Sequence, residues 1–251
     1  MFKTICFLSL SALCLLAEDR PTFAVASIRP HAPNDDRFFV RPPSNGGFSA
    51  IGSVAKLLVM LAYDVQESQI TGGESWFGTE KWDIEAKSDD GGKHNVEETR
   101  RMLQNMLAER FALRVHRGTQ ERPAYVLTIA KGGPKLKVPE HPGSTNVRVT
   151  GNSISLERGE LSRMTQLLSG ALGRPVVDRT QLSGLYDIQL QWDEAPIPTG
   201  GVIGLDAPAA PDSNHGSIFT AIEQQLGLRL VSERAPVEML IIDQIKPASE
   251  N

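Results

Sequence analysis

Cysteine is scarce in this sequence: its 251 residues include only Cys6 and Cys14. Both lie before Ala17, in a segment that we expect to be removed on export. A chain without them has no disulfide, no thiolate nucleophile and no cysteine-ligated zinc. We therefore expect the fold to depend on its hydrophobic core alone.

An excess of positive charge is also absent. The chain has 26 Lys and Arg against 30 Asp and Glu, which gives a formal net charge of −4. Proteins that bind nucleic acid through its phosphate backbone need clustered Lys and Arg. We therefore expect no nucleic-acid partner. The 40% hydrophobic and 22% charged residues are typical of a globular protein.

Long hydrophobic runs are limited to one. Ile5–Leu16 is apolar apart from two serines, and it follows Lys3 and precedes the small residue Ala17. This run is shorter than the roughly 20 residues that cross a bilayer. The pattern predicts a secretory signal peptide at residues 1–17. We expect an exported protein, periplasmic or secreted, with no membrane span after cleavage.

The rest of the chain shows one order of predicted elements twice. In the first half, apolar residues at helical spacing follow Ser53, and a second helix begins at Asn95 with Glu98 in a capping box. In the second half, a helix ending at Gly173 and another beginning at Ser217 take the same places. Short strands surround each helix pair. The strands that close the halves are predicted at 112–117 and 125–130, and at 228–231 and 239–242.

These patterns predict an α+β fold built by tandem duplication, in which a two-helix module packs on a small, largely antiparallel sheet. The first copy is predicted to span 22–139 and the second 145–247. A segment rich in proline and glycine, 193–216, is predicted as a long loop in the second copy.

No complete catalytic or metal-binding motif occurs in the sequence. The five histidines lack His-Glu-x-x-His spacing and are expected on the surface, and we expect no metal ion or cofactor. Asp83 and Asp187 hold matching places near strand starts. They are the candidates for a carboxylate pair in acid–base catalysis. The alternative is that each carboxylate bonds backbone N–H groups at a loop.

Two tryptophans are candidate binding residues. Trp76 lies in a glycine-rich loop and Trp82 at a strand start. An exposed pair would stack against a sugar ring or anchor a protein partner. Packing in the core is the alternative, and it is favoured because Tyr186 holds the place of Trp82 in the second half.

Distinctive segments occur along the whole chain. They are Phe23–Pro30, Gln69–Gly73 with Trp76, Trp82–Lys87, Leu107–Phe111, Ala130–Leu136, Leu172–Asp178 and Gln225–Leu228. Together they resemble those of a family of exported soil-bacterial (acidobacterial-type) proteins that is known as domain of unknown function 3738. The resemblance covers nearly all of the chain after the signal peptide. It implies no catalytic residues, because the family has none established.

Each half alone is similar in its order of elements to the short N-terminal module of secretins and TonB-dependent receptors, which binds protein partners in the periplasm. This likeness concerns topology alone. Two tandem copies, the lack of a catalytic constellation and exposed sheet edges favour a non-enzymatic binding module of the envelope or secreted fraction, with a protein or glycan partner. The alternative is a hydrolase that acts on cell-wall or extracellular polymers through carboxylates between the two copies.

Overall fold

The computed structural model describes residues 21–89, 94–193 and 217–248. The predicted signal peptide and residues 194–216 of the predicted loop lie outside these ranges. Of the described residues, 42% are in strands and 26% are in helices. Within these ranges, no helix is long and apolar enough to cross a membrane.

The described residues form eleven strands and four α-helices. In chain order they are β1 (Val25–Pro30), β2 (Phe39–Ser44), β3 (Gly47–Val54), α1 (Ala55–Tyr63), β4 (Ile70–Gly72), β5 (Lys81–Lys87), α2 (Val96–Arg110), β6 (Arg114–Ile129), β7 (Asn146–Thr150), β8 (Ser153–Gly159), α3 (Leu161–Leu172), β9 (Val176–Asp178), β10 (Tyr186–Gln191), α4 (Ile218–Ala221) and β11 (Leu228–Gln244). A π-helical turn, Ile222–Leu226, extends α4.

The strands form three sheets. The first has the order β1-β5-β3-β2 and the second β10-β8-β7, and both are antiparallel. The third has the order β4-β11-β6-β9: its long inner strands are antiparallel, and the short outer strands pair with them in parallel. The first sheet packs with α1 and α2 around one core cluster. The second sheet packs with α3 and α4 around another.

The third sheet overturns the predicted fold class. β6 follows α2 and β11 follows α4, yet these two strands pair with each other along almost their whole length. In addition, β4 from the first half pairs with β11, and β9 from the second half pairs with β6. The prediction of a tandem duplication of two-helix modules, each on its own small sheet, is therefore wrong. The described chain is mostly sheet, and strands from both halves build one shared sheet.

The two long strands also replace four predicted short ones. Each continues through a proline, Pro123 in β6 and Pro236 in β11, although proline cannot donate to a strand ladder. Tyr125 donates its N–H to the Pro175 carbonyl on the side of β6 that faces away from β11. Pro123 lies two residues earlier and faces the same way. The missing N–H of Pro123 therefore removes no hydrogen bond between β6 and β11.

The helix boundaries predicted from capping residues are confirmed. The Asn95 side chain accepts a hydrogen bond from the Glu98 N–H, and the Glu98 carboxylate accepts one from the Asn95 N–H. Gly173 ends α3 with a φ of 62°. The Ser217 hydroxyl accepts a hydrogen bond from the Thr220 N–H at the start of α4.

Candidate functional site

The second sheet has one protected edge and one open edge. β8 lies in the middle, with β10 on one side and β7 on the other. The edge of a sheet carries unpaired backbone N–H and C=O groups, to which an extended strand of another chain can bind. The contacts of these groups therefore decide which edge is available to a partner.

At the β10 edge, the chain covers its own backbone groups. The Gln225 side chain accepts a hydrogen bond from the Gln191 N–H at 3.1 Å and donates one to the Gln191 carbonyl at 2.7 Å, as a neighbouring strand would. Farther along the edge, the Asp187 N–H donates to the Lys137 carbonyl at 2.8 Å. The β10 edge is therefore closed to a further strand at two points.

At the β7 edge, no described residue forms hydrogen bonds of this kind with the outward backbone groups. Because the N–H and C=O of Gln191 face outward, its opposite residue Ser153 directs its own backbone groups toward Thr150 of β7. Hydrogen-bonded and non-hydrogen-bonded pairs alternate along an antiparallel ladder. The N–H and C=O of Val147 and Val149 therefore point away from β8, and they pair with no other described strand.

The side chains of β7 alternate between an apolar and a polar face. Val147 packs partly against the core cluster of the second sheet. Val149 is 47% exposed, although its cross-strand neighbour Ile154 is buried. On the other face, the Arg148 side chain is exposed, and its guanidinium makes no hydrogen bond or ion pair with any residue in the described ranges. Among the residues that the structure describes, the β7 edge thus offers backbone groups without a partner, a half-covered apolar row formed by Val147 and Val149, and the unpaired guanidinium of Arg148.

A cleft of about 500 Å³ lies at one end of the same sheet. It is lined by Lys137, Val138, Pro139, Glu140, His141, Arg158 and Asp187. Cationic and anionic side chains both line it, so its charge selects no single class of ligand.

The structure does not bring the two candidate carboxylates together in this cleft. Asp187 lines the cleft, and its carboxylate accepts a hydrogen bond from the Arg158 N–H at 2.8 Å. Asp83 is not among the lining residues: it lies on β5 in the first sheet and accepts a hydrogen bond from the Gly52 N–H at 3.0 Å. Each carboxylate bonds the backbone of its own sheet, and no described contact joins the two.

Asp83 also contacts a histidine that was expected on the surface. The Nδ1 atom of His31 lies 2.7 Å from the Asp83 carboxylate, its Nε2 lies 2.7 Å from the Asp35 carbonyl, and the side chain is only 3% exposed. Both partners accept hydrogen bonds, so both ring nitrogens donate. The Asp83 carboxylate, followed by the Asp35 carbonyl, raises the pKa of His31. The expected surface position of His31 is wrong, and neither ring nitrogen is free for acid–base catalysis.

The two candidate tryptophans lie in the core cluster of the first sheet. Trp76 is 8% exposed, stacks with Phe111 at a centroid distance of 6.5 Å and donates to the Glu74 carboxylate at 3.2 Å. Trp82 is 4% exposed and meets Phe111 edge-on at 5.3 Å. Rings covered in this way offer no free face to a sugar or a partner, so their positions lend no support to a binding role.

Metal-ligating side chains do not cluster in the part of the chain that the structure describes: no group of three or more His, Cys, Asp or Glu could hold an ion there. The β7 edge is therefore the described feature with the most definite binding chemistry.

Comparison with known proteins identifies a family. The family model described as "Protein of unknown function (DUF3738)" matches residues 56–245. The chain belongs to this family. No curated protein and no solved structure matches the chain. The resemblance seen in the sequence is thus confirmed for the family, whereas the acidobacterial origin and the likeness to secretin and TonB-receptor modules have no support.

Proposed function

We propose that this chain is a non-enzymatic binding module that accepts an extended segment of a partner protein as an added strand on β7. The open β7 edge is the observation that carries this proposal. In strand addition, main-chain hydrogen bonds give affinity and alternate side chains give specificity. Val147 and Val149 supply outward N–H and C=O groups, and the side chains of Arg148 and Val149 remain available for contacts with the added strand.

Four of the other five edge strands are less suited to a partner strand, and the fifth, β1, ends in a proline, Pro30. β2 carries Pro42 and Pro43, which remove backbone donors, and the β10 edge is covered by Gln225 and by the Lys137 carbonyl. The outer strands β4 and β9 have three residues each. β7 has five residues, no proline and alternating side chains, a combination that favours strand addition there.

The proposed location of this binding is the cell envelope or the secreted fraction. It is supported by the pattern of residues 1–17. A fusion of the full chain to a phosphatase that is active only outside the cytoplasm tests the location. We expect activity that is lost when Ile5–Leu16 is deleted. An inactive fusion, or activity that survives the deletion, contradicts the proposal.

A selection of peptides on variants of β7 tests the binding role. A displayed library of random peptides is selected on the full chain, and the enriched peptides are measured against Val149→Pro and Val149→Thr. Proline removes the outward N–H of Val149 but leaves the inward pairs with β8 in place. Threonine keeps both the N–H and the β-branched shape, so it is the matched control.

We expect the enriched peptides to lose at least about tenfold in affinity on Val149→Pro and less than about threefold on Val149→Thr. Equal thermal unfolding midpoints of the two variants would show that the fold is intact. No enrichment, or unchanged binding to Val149→Pro, contradicts strand addition. Hydrolysis of peptidoglycan by the wild-type chain that disappears in Asp187→Asn would instead favour the hydrolase alternative.

A further inference from the structure

We infer that the β7 edge selects strands in which a carboxylate stands between two apolar residues. This inference rests on the proposed strand addition and adds the class of sequence that binds. The pattern follows from three neighbouring positions, of which Val147 and Val149 lie on one face of the strand and Arg148 lies on the other.

The apolar part of the pattern follows from Val147 and Val149, which form the half-covered apolar row on the core-facing side of β7. Val149 is 47% exposed beside the buried Ile154, so the apolar row of the sheet continues onto its last strand, β7, where it is only half covered. An added strand that pairs with Val147 and Val149 places two of its own side chains over this row. Apolar side chains at those positions would bury the exposed part of Val149 and extend the core cluster by one strand.

The acidic part of the pattern follows from Arg148. With Val147 and Val149 in hydrogen-bonded pairs, Arg148 stands in a non-hydrogen-bonded pair with the added strand, where cross-strand side chains are closest. Its guanidinium has no ion-pair partner among the described residues. The nearest acidic residue of β8, Glu157, is paired with Arg158. A Glu or Asp on the added strand would give Arg148 the opposite charge that its own sheet does not supply.

Arg148 also disfavours pairing between two copies of this chain. In the antiparallel register that uses both valines, Val147 of one copy lies opposite Val149 of the other, and Arg148 lies opposite Arg148. Like charges that face each other directly across a ladder are destabilising. A free, proline-less edge is a risk for self-association, and a charged side chain is one way to limit that risk. The geometry therefore favours an acidic foreign strand over a second copy.

Two synthetic peptides that differ in one residue test the inference. Both are capped at their ends: one has the core Thr-Val-Glu-Val-Thr and the other Thr-Val-Lys-Val-Thr. Each is titrated, with a fluorescent label, against the full-length wild-type chain, Arg148→Glu and Arg148→Gln. Val149→Pro serves as the control for binding elsewhere, and the titrations are repeated at high salt.

We expect the wild-type chain to bind the glutamate peptide about threefold to tenfold more tightly than the lysine peptide. Arg148→Glu should reverse this order, Arg148→Gln should remove it, and about 1 M salt should shrink it. If both peptides bind equally and Val149→Pro abolishes both, the charge selection is wrong while strand addition stands. If neither binds, or if Val149→Pro binds both as the wild type does, the proposed function fails as well.

Discussion

The Asp187 carboxylate accepts a hydrogen bond from the backbone N–H of Arg158 at 2.8 Å. Arg158 has a φ of 51°, in the left-handed region, close to the register shift between β8 and β10. Asp83 bonds the N–H of Gly52, whose φ is 65°, close to the register shift between β3 and β5. Each candidate carboxylate therefore accepts a hydrogen bond from a residue in the left-handed region, at an irregularity in a strand pair. This is a structural role.

Removing the Asp187 carboxylate should destabilise the second sheet. In Asp187→Ala the Arg158 N–H loses its acceptor, and we expect the free energy of unfolding to fall by about 1–3 kcal/mol. Asp187→Asn should cost less, because the amide oxygen can still accept the bond. Glu140→Gln, at a cleft residue with no hydrogen bond to the described chain, is the control. Urea unfolding of the three variants measures these free energies. Equal losses of stability in all three would contradict a stabilising role of the Asp187 carboxylate.

The His31 contacts should make stability depend on pH. The pKa of His31 is raised above its ordinary value of 6.5 in the folded state, chiefly by the Asp83 carboxylate. Its contribution to stability is therefore complete below about pH 6.5 and is lost as the pH rises through the raised folded-state pKa. The stability difference between the wild type and His31→Gln should shrink over that range.

Urea unfolding at a series of pH values measures this difference, with His141→Gln as the control at an exposed histidine. A difference that grows as the pH rises would show that the folded protein holds His31 in its neutral form. That result would contradict the assignment of two donating ring nitrogens.

Asp64 connects helices of the two halves of the chain. It follows α1 with a φ of 53°, and its carboxylate accepts from Arg100 of α2 at 2.8 Å and from Arg163 of α3 at 3.0 Å. Asp64→Asn keeps a residue that tolerates the left-handed region and removes only the charge. We expect the free energy of unfolding to fall by about 1 kcal/mol, because the ion pairs of Asp64 with the two arginines are partly exposed. A double-mutant cycle with Arg163→Gln checks the coupling, and a coupling energy of zero would contradict a direct ion pair.

The shared third sheet predicts that neither half of the chain folds alone. Fragments 22–140 and 141–251 each contain one long strand whose partner lies in the other fragment. We expect each fragment by itself to lack a cooperative unfolding transition, and the mixed fragments to regain one. Circular dichroism with thermal unfolding measures this. A cooperative transition in either fragment alone would show that the halves are independent.

Local signals in the sequence predicted the local structure well. The Asn95–Glu98 capping box, Gly173 and Ser217 set helix ends within one turn of chain, so their effects are readable from neighbouring residues. The partners of the long strands are not readable in this way. β6 and β11 join residues 99 to 130 positions apart, and short periodic patterns on either side of a proline look like separate strands.

The candidate site depended on the same kind of distant information. The protection of the β10 edge comes from Gln225, which is 34 positions from Gln191. The His31–Asp83 contact joins residues 52 positions apart. Only the sheet order shows that the strand Asn146–Thr150 lies at an edge. Asp83 and Asp187 became catalytic candidates because they hold matching places near strand starts, and their backbone contacts do not support that role.

Hydrogen exchange of the β7 backbone amides, followed by NMR with and without the glutamate peptide, tests the central claim most directly. Strand addition predicts that the amides of Val147 and Val149 become protected on binding, while those of Asn146, Arg148 and Thr150, already bonded to β8, change little. Binding that leaves Val147 and Val149 unprotected, with changes confined to the cleft around Arg158 and Asp187, would contradict the claim.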